Sequence, residues 1–486
     1  MNIFRLLPVY LKANKAINFS FGIIACFFAL LTASQAREFS TDVIGINETH
    51  LSANFWLNKL NNGSALLMKP AEIASFNSQL IRDNAHISSP LLMPELISDV
   101  ELKRKINLIS RVFSAPRFYA SGEQVTDAAY AGYIANANYE TIQSKNKVLF
   151  ALVVKRTGLR RFPTADKVYK QSSDKLKEHS LTQALEIDLD LFQESALFPG
   201  DAVAVLHTSK DGQWYLVQAY NYLAWLPKID VAIGNKAEIS AFKHDENYLV
   251  VTGSKVFTHY LPDYIENNRQ LSQVQLDMGI RLPLAKRSDY GDDLYGQNPY
   301  TSYVVKLPIK NVQGKLQFAL VAIARSQDVH LGYLPFSQHN LIQQSFKFLG
   351  ERYGWGHDYN GRDCTGFIDE VYKSFGFIMP RNSGQQAKGS YGRNYLFNEN
   401  SDPSEKLTAI AKLQVGDLIY IPGHVMMYLG EDKGKPYIIH DVKDLSYYHE
   451  NDELYEGTLN GVSITPLLPL RDYVNNITNI KRIVSK

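Results

Sequence analysis

Only two cysteines occur in the 486 residues of this chain, and one stands in a polar, glycine-containing segment. That segment reads GRDCTGF and places Cys364 between Asp363 and Thr365. Apolar residues follow at helical spacing until Gly376 ends the run, namely Phe367, Ile368, Val371, Tyr372 and Phe375. The pattern predicts that Cys364 lies in the first turn of a helix, where backbone N–H groups and the helix dipole favour an anion.

This position suits a reactive thiol. A free cysteine has a pKa near 8.5, and a helix amino terminus or a neighbouring imidazolium can lower that pKa by several units. The structural alternative is a buried cysteine that packs as a small hydrophobic residue. Polar Asp363 and Thr365 are poor neighbours in a hydrophobic core, so we expect Cys364 to be a nucleophile.

Two histidines are candidates for the base that such a thiol needs, and for the group that orients this base. His424 begins the strand-like run HVMMYLG (424–430), and His440 lies near the end of the run YIIHDV (437–442). If these runs pair as a hairpin around residues 431–435, the two side chains become neighbours on one side of a sheet. A single histidine on a strand is more often structural than catalytic, but the joint arrangement with Cys364 favours catalysis.

The amino terminus reads as an export signal over residues 1–36. A positively charged stretch precedes the apolar run FSFGIIACFFALL (19–31), and small residues at Ser34 and Ala36 fit a cleavage site after Ala36. A retained membrane anchor is one alternative, although the apolar run is shorter than the ~20 residues that span a bilayer. Attachment of lipid to Cys26 is another, but the apolar run continues beyond it. We therefore expect a protein of the periplasm or cell envelope.

Cleavage after Ala36 would leave Cys364 without a partner for a disulfide in a compartment where disulfides are expected. The net charge of +2 and the lack of a basic block exclude nucleic acid as a partner. No segment of the mature chain is long enough to span a membrane, and we expect a monomer. No Asp or His residues fall at zinc-ligand spacing, so neither a metal nor another cofactor is expected.

Four regions follow residue 36. Residues 37–126 are mostly helical and rich in loops. Residues 127–235 and 236–335 turn to short β-type runs, among them a strand and proline-marked turn in LVVKRTGLRRFPT (152–164) and a hairpin around Asp211-Gly212. The longest strand of the second of these regions is LQFALVAIA (316–324). These patterns predict two small β-barrels, with one larger sandwich as the alternative.

Residues 336–486 mix helices and strands. SQHNLIQQSFKFLGE (337–351) predicts a helix ahead of the cysteine helix, and GDLIYI (416–421) predicts a strand ahead of the two histidine runs. Helices followed by an antiparallel sheet are typical of the α+β class. We therefore expect an α+β fold for this region.

The segment YGWGHDYNGRDCTGFIDEVYKSFGFIMPRNSGQQ (353–386) resembles the active-site segment of the NlpC family of cell-wall cysteine peptidases. That segment runs as an aromatic-glycine stretch, Asp-Cys-Ser-Gly, an apolar helix, Pro-Arg-x-Ser and a glutamine. LQVGDLIYIPGHVMMYLG (413–430) resembles the family's Gly-Asp-Leu and histidine strands, and YIIHDV resembles the strand of its third polar residue. The resemblance implies a papain-like catalytic domain over residues 336–486.

The layout of the whole chain also resembles one subgroup of that family. Its members have a helical amino-terminal clip and two bacterial SH3-like barrels ahead of the peptidase, and are similar to γ-D-glutamyl-meso-diaminopimelate peptidases. The resemblance implies a clip over residues 37–126 and barrels over residues 127–235 and 236–335. In that subgroup the first barrel packs against the active site and closes off part of the groove.

Matched by position, the resemblance implies that Cys364 is the nucleophile, His424 the general base and His440 the group that orients His424. Tyr353 matches the tyrosine that helps to bind the oxyanion. No cofactor is implied.

The resemblance also implies that Asp363 and Thr365 face the substrate amine, as in the subgroup that recognises a free terminal alanine. The family usually has serine where Thr365 stands, so this chain keeps the hydroxyl and adds a methyl group. Arg381 and Ser383 match the Pro-Arg-x-Ser motif, for which no role is assigned.

The implied function is hydrolysis of the bond between D-glutamate and diaminopimelate in peptidoglycan stem peptides or muropeptides. Because a fold does not fix a substrate, the same thiol can serve acyl transfer or hydrolysis of another amide bond. A wall-binding protein with a silent catalytic domain is the non-enzymatic alternative. The intact set of cysteine, two histidines and tyrosine argues against it.

Overall fold

The computed structural model describes residues 39–172, 185–449 and 451–484. The predicted export signal over residues 1–36 and the candidate lipid site at Cys26 lie outside the described residues. Within the described ranges, no helix has the length and apolar character needed to cross a membrane.

The amino-terminal region is helical; its first two helices pack on the carboxy-terminal region, and the next two pack on the first β region. Its α-helices are α1 (Ala53–Leu57), α2 (Pro70–Asp83), α3 (Asp99–Ile109) and α4 (Asp127–Asn136), and strand β1 (Leu96–Ser98) pairs with β2 (Lys145–Lys147). Trp56 packs against Tyr437 with ring centroids 5.3 Å apart and the rings tilted by 54°, and Phe76 packs edge-on against Phe377 at 5.3 Å. These aromatic contacts join α1 and α2 to the carboxy-terminal region.

Residues 149–234 form a seven-stranded sheet with the order β5-β4-β8-β7-β6-β3-β9, in which each pair is antiparallel. The strands are β3 (Leu149–Val153), β4 (Thr157–Arg160), β5 (Gln193–Leu197), β6 (Ala202–Thr208), β7 (Trp214–Gln218), β8 (Leu223–Pro227) and β9 (Val231–Gly234). The predicted hairpin is confirmed, because Asp211-Gly212 connects β6 to β7 with Gly212 at a φ of +71°. The prediction of a single strand within residues 152–164 is wrong. The chain breaks there into β3 and β4, and Arg156 between them leaves the sheet to bind the carbonyl oxygens of His357 and Gly361.

Residues 236–331 contain three small sheets and three short helices. The sheets have the orders β13-β10-β16, β11-β12 and β14-β15. The elements are α5 (Lys236–His244), β10 (Tyr248–Val251), β11 (Lys255–Phe257), α6 (Asn268–Leu271), β12 (Gln275–Asp277), β13 (Arg281–Pro283), α7 (Arg287–Tyr290), β14 (Ser302–Lys310), β15 (Leu316–Ala324) and β16 (Val329–Leu331). The predicted strand 316–324 is confirmed as β15. These sheets are separate from the seven-stranded sheet, although buried residues of both regions form one continuous core.

The carboxy-terminal region is an α+β unit, as predicted. Its sheet has the order β17-β22-β18-β19-β20-β21, and every neighbouring pair is antiparallel. The helices are α8 (Gln338–Phe346), α9 (Cys364–Lys373), α10 (Ser383–Lys388), α11 (Pro403–Ile410) and α12 (Arg471–Asn475); the strands are β17 (Arg393–Leu396), β18 (Leu418–Ile421), β19 (His424–Asp432), β20 (Lys435–Tyr448), β21 (Leu454–Pro466) and β22 (Asn479–Arg482). The first helix ends at Phe346, five residues earlier than predicted. The α9 helix and the β18-β19-β20 order agree with the prediction.

A buried arginine joins this region to the preceding one. The Arg362 side chain is fully buried and donates to Glu370 Oε2 at 2.8 Å, to Glu351 Oε1 at 2.5 Å and to Asp277 Oδ1 at 2.9 Å. It also donates to the carbonyl oxygen of Ser254 at 2.9 Å. Because Ser254 and Asp277 belong to the second β region, one guanidinium fixes that region against the start of α9.

We predict that Arg362→Leu destabilises the chain by about 3–5 kcal/mol, because it removes the nearest cation from the buried carboxylates of Asp277 and Glu370. Urea-induced unfolding followed by tryptophan fluorescence measures this change. Arg362→Lys should recover little of the loss, since an ammonium lacks the planar fork of a guanidinium. Arg393→Leu, at an exposed position of β17, is the matched control and should leave the midpoint nearly unchanged. A loss below 1 kcal/mol in Arg362→Leu would contradict the prediction.

Candidate active site

Cys364 is the first residue of α9, and Asp363 is its amino-terminal cap. The Asp363 side chain accepts a hydrogen bond from the Gly366 N–H at 2.8 Å, which satisfies one of the free amides of the first turn. Gly366 lies so close to the His357 ring that a β-carbon would come within 2.7 Å of it. Packing therefore requires glycine at position 366, two residues after the cysteine.

The Asp363 carboxylate is held by Arg381. The guanidinium donates to both carboxylate oxygens, at 3.1 and 2.6 Å, and also to the Thr365 hydroxyl at 2.5 Å. That hydroxyl donates to Asp363 at 2.9 Å. Burial alone would raise the pKa of Asp363, but the adjacent Arg381 outweighs it and holds this pKa well below its usual range. Asp363 is therefore ionised and already paired, which the sequence did not reveal.

The two histidines form a hydrogen-bonded pair. His424 Nε2 lies 3.0 Å from His440 Nδ1, and His440 Nε2 lies 3.1 Å from the hydroxyl of Thr465. A neutral imidazole has one donor and one acceptor nitrogen. If His424 donates to His440 and His440 donates to Thr465, then Nδ1 of His424 is left as an acceptor. Such a chain of donors orients both rings.

Burial keeps both imidazoles neutral. It lowers the pKa of His424 to about 4, and it holds the pKa of the fully buried His440 well below the ordinary value. The neighbouring His424 adds to the effect at His440, because two close imidazolium ions would repel each other. Near neutral pH, His424 is consequently an uncharged base.

The thiol of Cys364 is protonated at rest, contrary to the expectation of a lowered pKa. Burial and then the charge of Asp363 raise the pKa of Cys364 to about 12, while the Val425 N–H, which lies against the sulfur, acts in the opposite direction. Only 7 % of the residue is exposed. Burial and the adjacent carboxylate thus both disfavour the thiolate of Cys364. Within the described chain, no hydrogen bond joins Cys364 to His424.

Two tyrosines border the thiol. Tyr353 is half-buried, and burial, followed by the charges of Cys364 and Asp363, raises its pKa well above the ordinary value. Its phenol is therefore protonated and can donate a hydrogen bond. Tyr473 of α12, which sequence analysis missed, has its ring 5.9 Å from that of His424 and 6.3 Å from that of His440.

Residues 193–195 of β5 lie against this site. Gln193 Nε2 donates to the carbonyl oxygen of Gly356 at 2.8 Å, and Arg381 Nε donates to the Ser195 hydroxyl at 2.7 Å. Tyr220 of the same β region reaches Asp369 of α9 at 3.0 Å. The first β region therefore forms one wall beside the cysteine helix.

Comparison with known proteins identifies two segments of the chain. A sequence model of the NlpC/P60 family matches residues 350–459, and one of the SH3 domain of the SH3b1 type matches residues 181–227. Residues 350–459 form an NlpC/P60 domain. The matched segment contains Cys364, His424 and His440 together with Arg381.

Two relatives and one solved structure are similar to parts of the chain. A γ-D-glutamyl-L-lysine dipeptidyl-peptidase of Bacillus cereus is 26% identical over 259 residues, which is 49% of this chain and 65% of that protein. Dipeptidyl-peptidase 6 of Lysinibacillus sphaericus is 29% identical over 118 residues, which is 23% of this chain and 38% of that protein. The chain thus spans about two thirds of the first relative and less than half of the second. An NlpC/P60 endopeptidase from Photobacterium damselae subsp. piscicida has the same fold, with a TM-score of 0.65, 18% identity, and coverage of 88% of this chain and 94% of that one.

The NlpC/P60 domain brings all the predicted site residues to the start of α9 or the adjoining strands. Arg381 has a structural role, because it binds the turn that carries the thiol. Ser383 is the first residue of α10, and no role follows from this position. His357 was missed, although it stands between Arg381 and Glu370 at 3.4 Å from each. Its position in the glycine-rich stretch before the cysteine was the only sequence signal. Among the described residues, no group of three or more His, Cys, Asp or Glu side chains is placed to hold a metal ion.

The Thr365 hydroxyl bridges Arg381 and Asp363, so we predict that its loss weakens the fold. Thr365→Val keeps the shape but removes both hydrogen bonds, and should cost about 1–3 kcal/mol of unfolding free energy. Thr365→Ser keeps the hydroxyl and should stay closer to the parent chain. Chemical denaturation of both variants tests this prediction, and equal losses in the two would show that the hydroxyl contributes nothing.

Proposed function

We propose that this chain is an exported cysteine peptidase that cleaves the bond between γ-D-glutamate and meso-diaminopimelate in peptidoglycan stem peptides. The observation that supports this most is the hydrogen-bonded pair of His424 and His440 beside a lone cysteine at a helix start. The names of the B. cereus and L. sphaericus relatives agree with a dipeptidyl-peptidase acting on γ-D-glutamyl bonds.

In this proposal, the neutral thiol of Cys364 attacks the γ-carbonyl carbon of D-glutamate. Its proton passes to Nδ1 of His424, while Nε2–H of His424 donates to His440 and stabilises the new imidazolium. The carbonyl oxygen gains negative charge and accepts a hydrogen bond from the protonated phenol of Tyr353. Such a donor is typically worth about 2.7–4 kcal/mol in the transition state.

The intermediate collapses when the bond to nitrogen breaks and His424 returns its proton to the leaving amine of diaminopimelate. A thioester between Cys364 and the glutamyl group remains. Water then attacks this thioester and gives a proton to His424, which passes it to the departing thiolate. The γ-carboxylic acid that is released loses its remaining proton to solvent, and the thiol is regenerated. The cycle balances without a metal, an oxidant or a reductant.

We predict that Cys364→Ser loses nearly all hydrolysis of L-Ala-γ-D-Glu-diaminopimelate, because a hydroxyl is far less easily ionised than a thiol. Product formation measured by mass spectrometry gives the rate, and an unchanged unfolding midpoint shows that the fold persists. Rates near those of the parent chain in the serine variant would overturn the mechanism. Release of a transferred peptide instead of a free γ-carboxylate would identify an acyltransferase.

We further propose that residues 37–126 act as a clip, and residues 127–235 and 236–335 as two SH3-like modules ahead of a catalytic domain at 336–486. The match of the SH3b1 type to residues 181–227 supports the first module. The hydrogen bonds from Gln193 to Gly356 and from Arg381 to Ser195 support its role as a wall of the substrate groove. Such a wall would limit the groove to short stem peptides.

Asp363 was expected to pair with the ammonium of a terminal alanine, but its carboxylate is already neutralised by Arg381. A substrate ammonium would have to share this carboxylate with a guanidinium 2.6 Å away. We therefore propose that the wall formed by residues 193–195, more than the charge of Asp363, selects a short stem with an unblocked amine. The wall would exclude a stem peptide that carries muramic acid by steric hindrance alone, and this does not require an unpaired carboxylate at Asp363.

We predict that L-Ala-γ-D-Glu-diaminopimelate is cleaved with a kcat/KM at least tenfold above that of its N-acetylmuramyl form. The peptide with an N-acetylated alanine is the matched control, since the acetyl group removes the positive charge of the terminal amine and adds little bulk. If steric exclusion dominates, the acetylated peptide should be cleaved more efficiently than the muramyl form. Equal kcat/KM for the free and the muramyl peptide would mean that the groove is open and that intact wall is a substrate.

A further inference from the structure

Apart from the thiol site, a cavity with a volume of about 260 Å³ lies where the amino-terminal region, both β regions and the NlpC/P60 domain meet. Lys373, the last residue of α9, lines it, as do Pro90, Asp201, Met278 and Phe377. Because α9 has ten residues, this end of the helix lies about 15 Å from Cys364. None of the proposed catalytic residues lines the cavity, so it is separate from the thiol site.

Three cations face this cavity. Lys373 is paired with Asp369 at 2.7 Å. Lys243 donates to the carbonyl oxygen of Gly200 at 3.0 Å, and Arg281 donates to a main-chain carbonyl oxygen, but neither forms an ion pair within the described part of the chain. Asp201 is the single acidic residue of the lining. Positive charge therefore exceeds negative charge around the cavity.

Two of these cations also have unused hydrogen-bonding capacity. The Arg281 Nε–H is buried and has no acceptor. The ammonium of Lys243 has three N–H groups but donates to one acceptor among the described residues. Burial lowers the pKa of Lys243, and the nearby charge of Arg281 contributes in the same direction against that of Asp201. Buried donors of this kind normally have partners, and an anion would serve both residues at once.

The remaining lining is largely apolar. Leu197, Phe198, Phe377 and Ile378 contribute side chains to the wall. A bare inorganic anion would leave this apolar surface without contact, whereas an organic acid places its carbon chain against it. The volume is below that of typical drug-sized pockets, which begin at about 300 Å³. The lining and volume together fit a ligand of one or two amino-acid residues.

We propose that this cavity binds a small organic carboxylate, with the carboxylate held by Lys243 and Arg281 and the carbon chain against the apolar wall. Charge-assisted hydrogen bonds from lysine and arginine to a carboxylate are stronger than neutral ones, and the fork of Arg281 can engage both oxygens. The site depends on the full chain, because four regions build it. It does not depend on the proposed peptidase reaction.

Isothermal titration calorimetry of the full chain with glutarate tests this proposal, with glutaramide as the uncharged ligand of the same shape. Glutarate should bind with a stoichiometry of one, and glutaramide should give no heat. Lys243→Gln should weaken glutarate binding at least tenfold, whereas Lys243→Arg should stay within about threefold of the parent chain, because it keeps the charge. Lys315→Gln removes an exposed lysine of the same β region and should change nothing.

Equal affinity for glutarate and glutaramide would overturn the proposal, as would unchanged binding in Lys243→Gln. Binding of inorganic phosphate without binding of glutarate would also overturn it, since the apolar wall would then have no role. If Lys243→Gln fails to fold, Arg281→Lys provides the second test, because it loses the bidentate fork but keeps the charge. That variant should bind glutarate several-fold more weakly, and unchanged affinity would count against the site.

Discussion

The buried guanidinium of Arg362 is the constraint on which the rest of the structure depends. It immediately precedes the cap of the cysteine helix, and its three carboxylate partners come from the second β region, from the residues after α8 and from within α9. A fully buried arginine must keep such partners, because an unpaired charge in the interior is very costly. The positions of Asp277, Glu351 and Glu370 are thus fixed relative to the helix that carries Cys364.

From Arg362 a series of polar contacts leads to Asp363, the residue before the thiol. Glu370 also approaches the His357 ring at 3.4 Å, the other side of that ring lies 3.4 Å from Arg381, and Arg381 holds Asp363. The two arginines and the two carboxylates are therefore linked in one series of contacts, at the middle of which lies the neutral ring of His357. Because the pairing of a buried network offsets its desolvation only in part, its main effect is to specify a single arrangement. The network determines where the first turn of α9 lies relative to both β regions.

Much of this site could be predicted from the sequence. The contacts that could not be predicted join residues that lie far apart along the chain. The cysteine helix follows from local periodicity, and the histidine hairpin follows from the turn predicted around residues 431–435. The 3.0 Å contact between His424 and His440 could therefore be predicted. The partners of Arg362 and Arg381 lie up to 186 residues away and carry no periodic signal. The strand break around Arg156 was missed for the same reason, because a contact with the distant His357 interrupts an apolar run.

The lowered pKa expected for Cys364 failed because a helix terminus was considered without the burial of the thiol and without the charge of its cap. The cap is a carboxylate kept ionised by Arg381, and it lies beside the sulfur, so it opposes the thiolate that the helix dipole favours. With the pKa of Cys364 raised and that of His424 lowered, the resting pair is a neutral thiol and a neutral imidazole. Formation of the ion pair would then have to accompany attack, when the developing oxyanion and the His440 hydrogen bond can share the charge. In the proposed mechanism, a substrate that excludes water from Tyr353 would strengthen these contacts, and the site would ionise in the transition state and not before it.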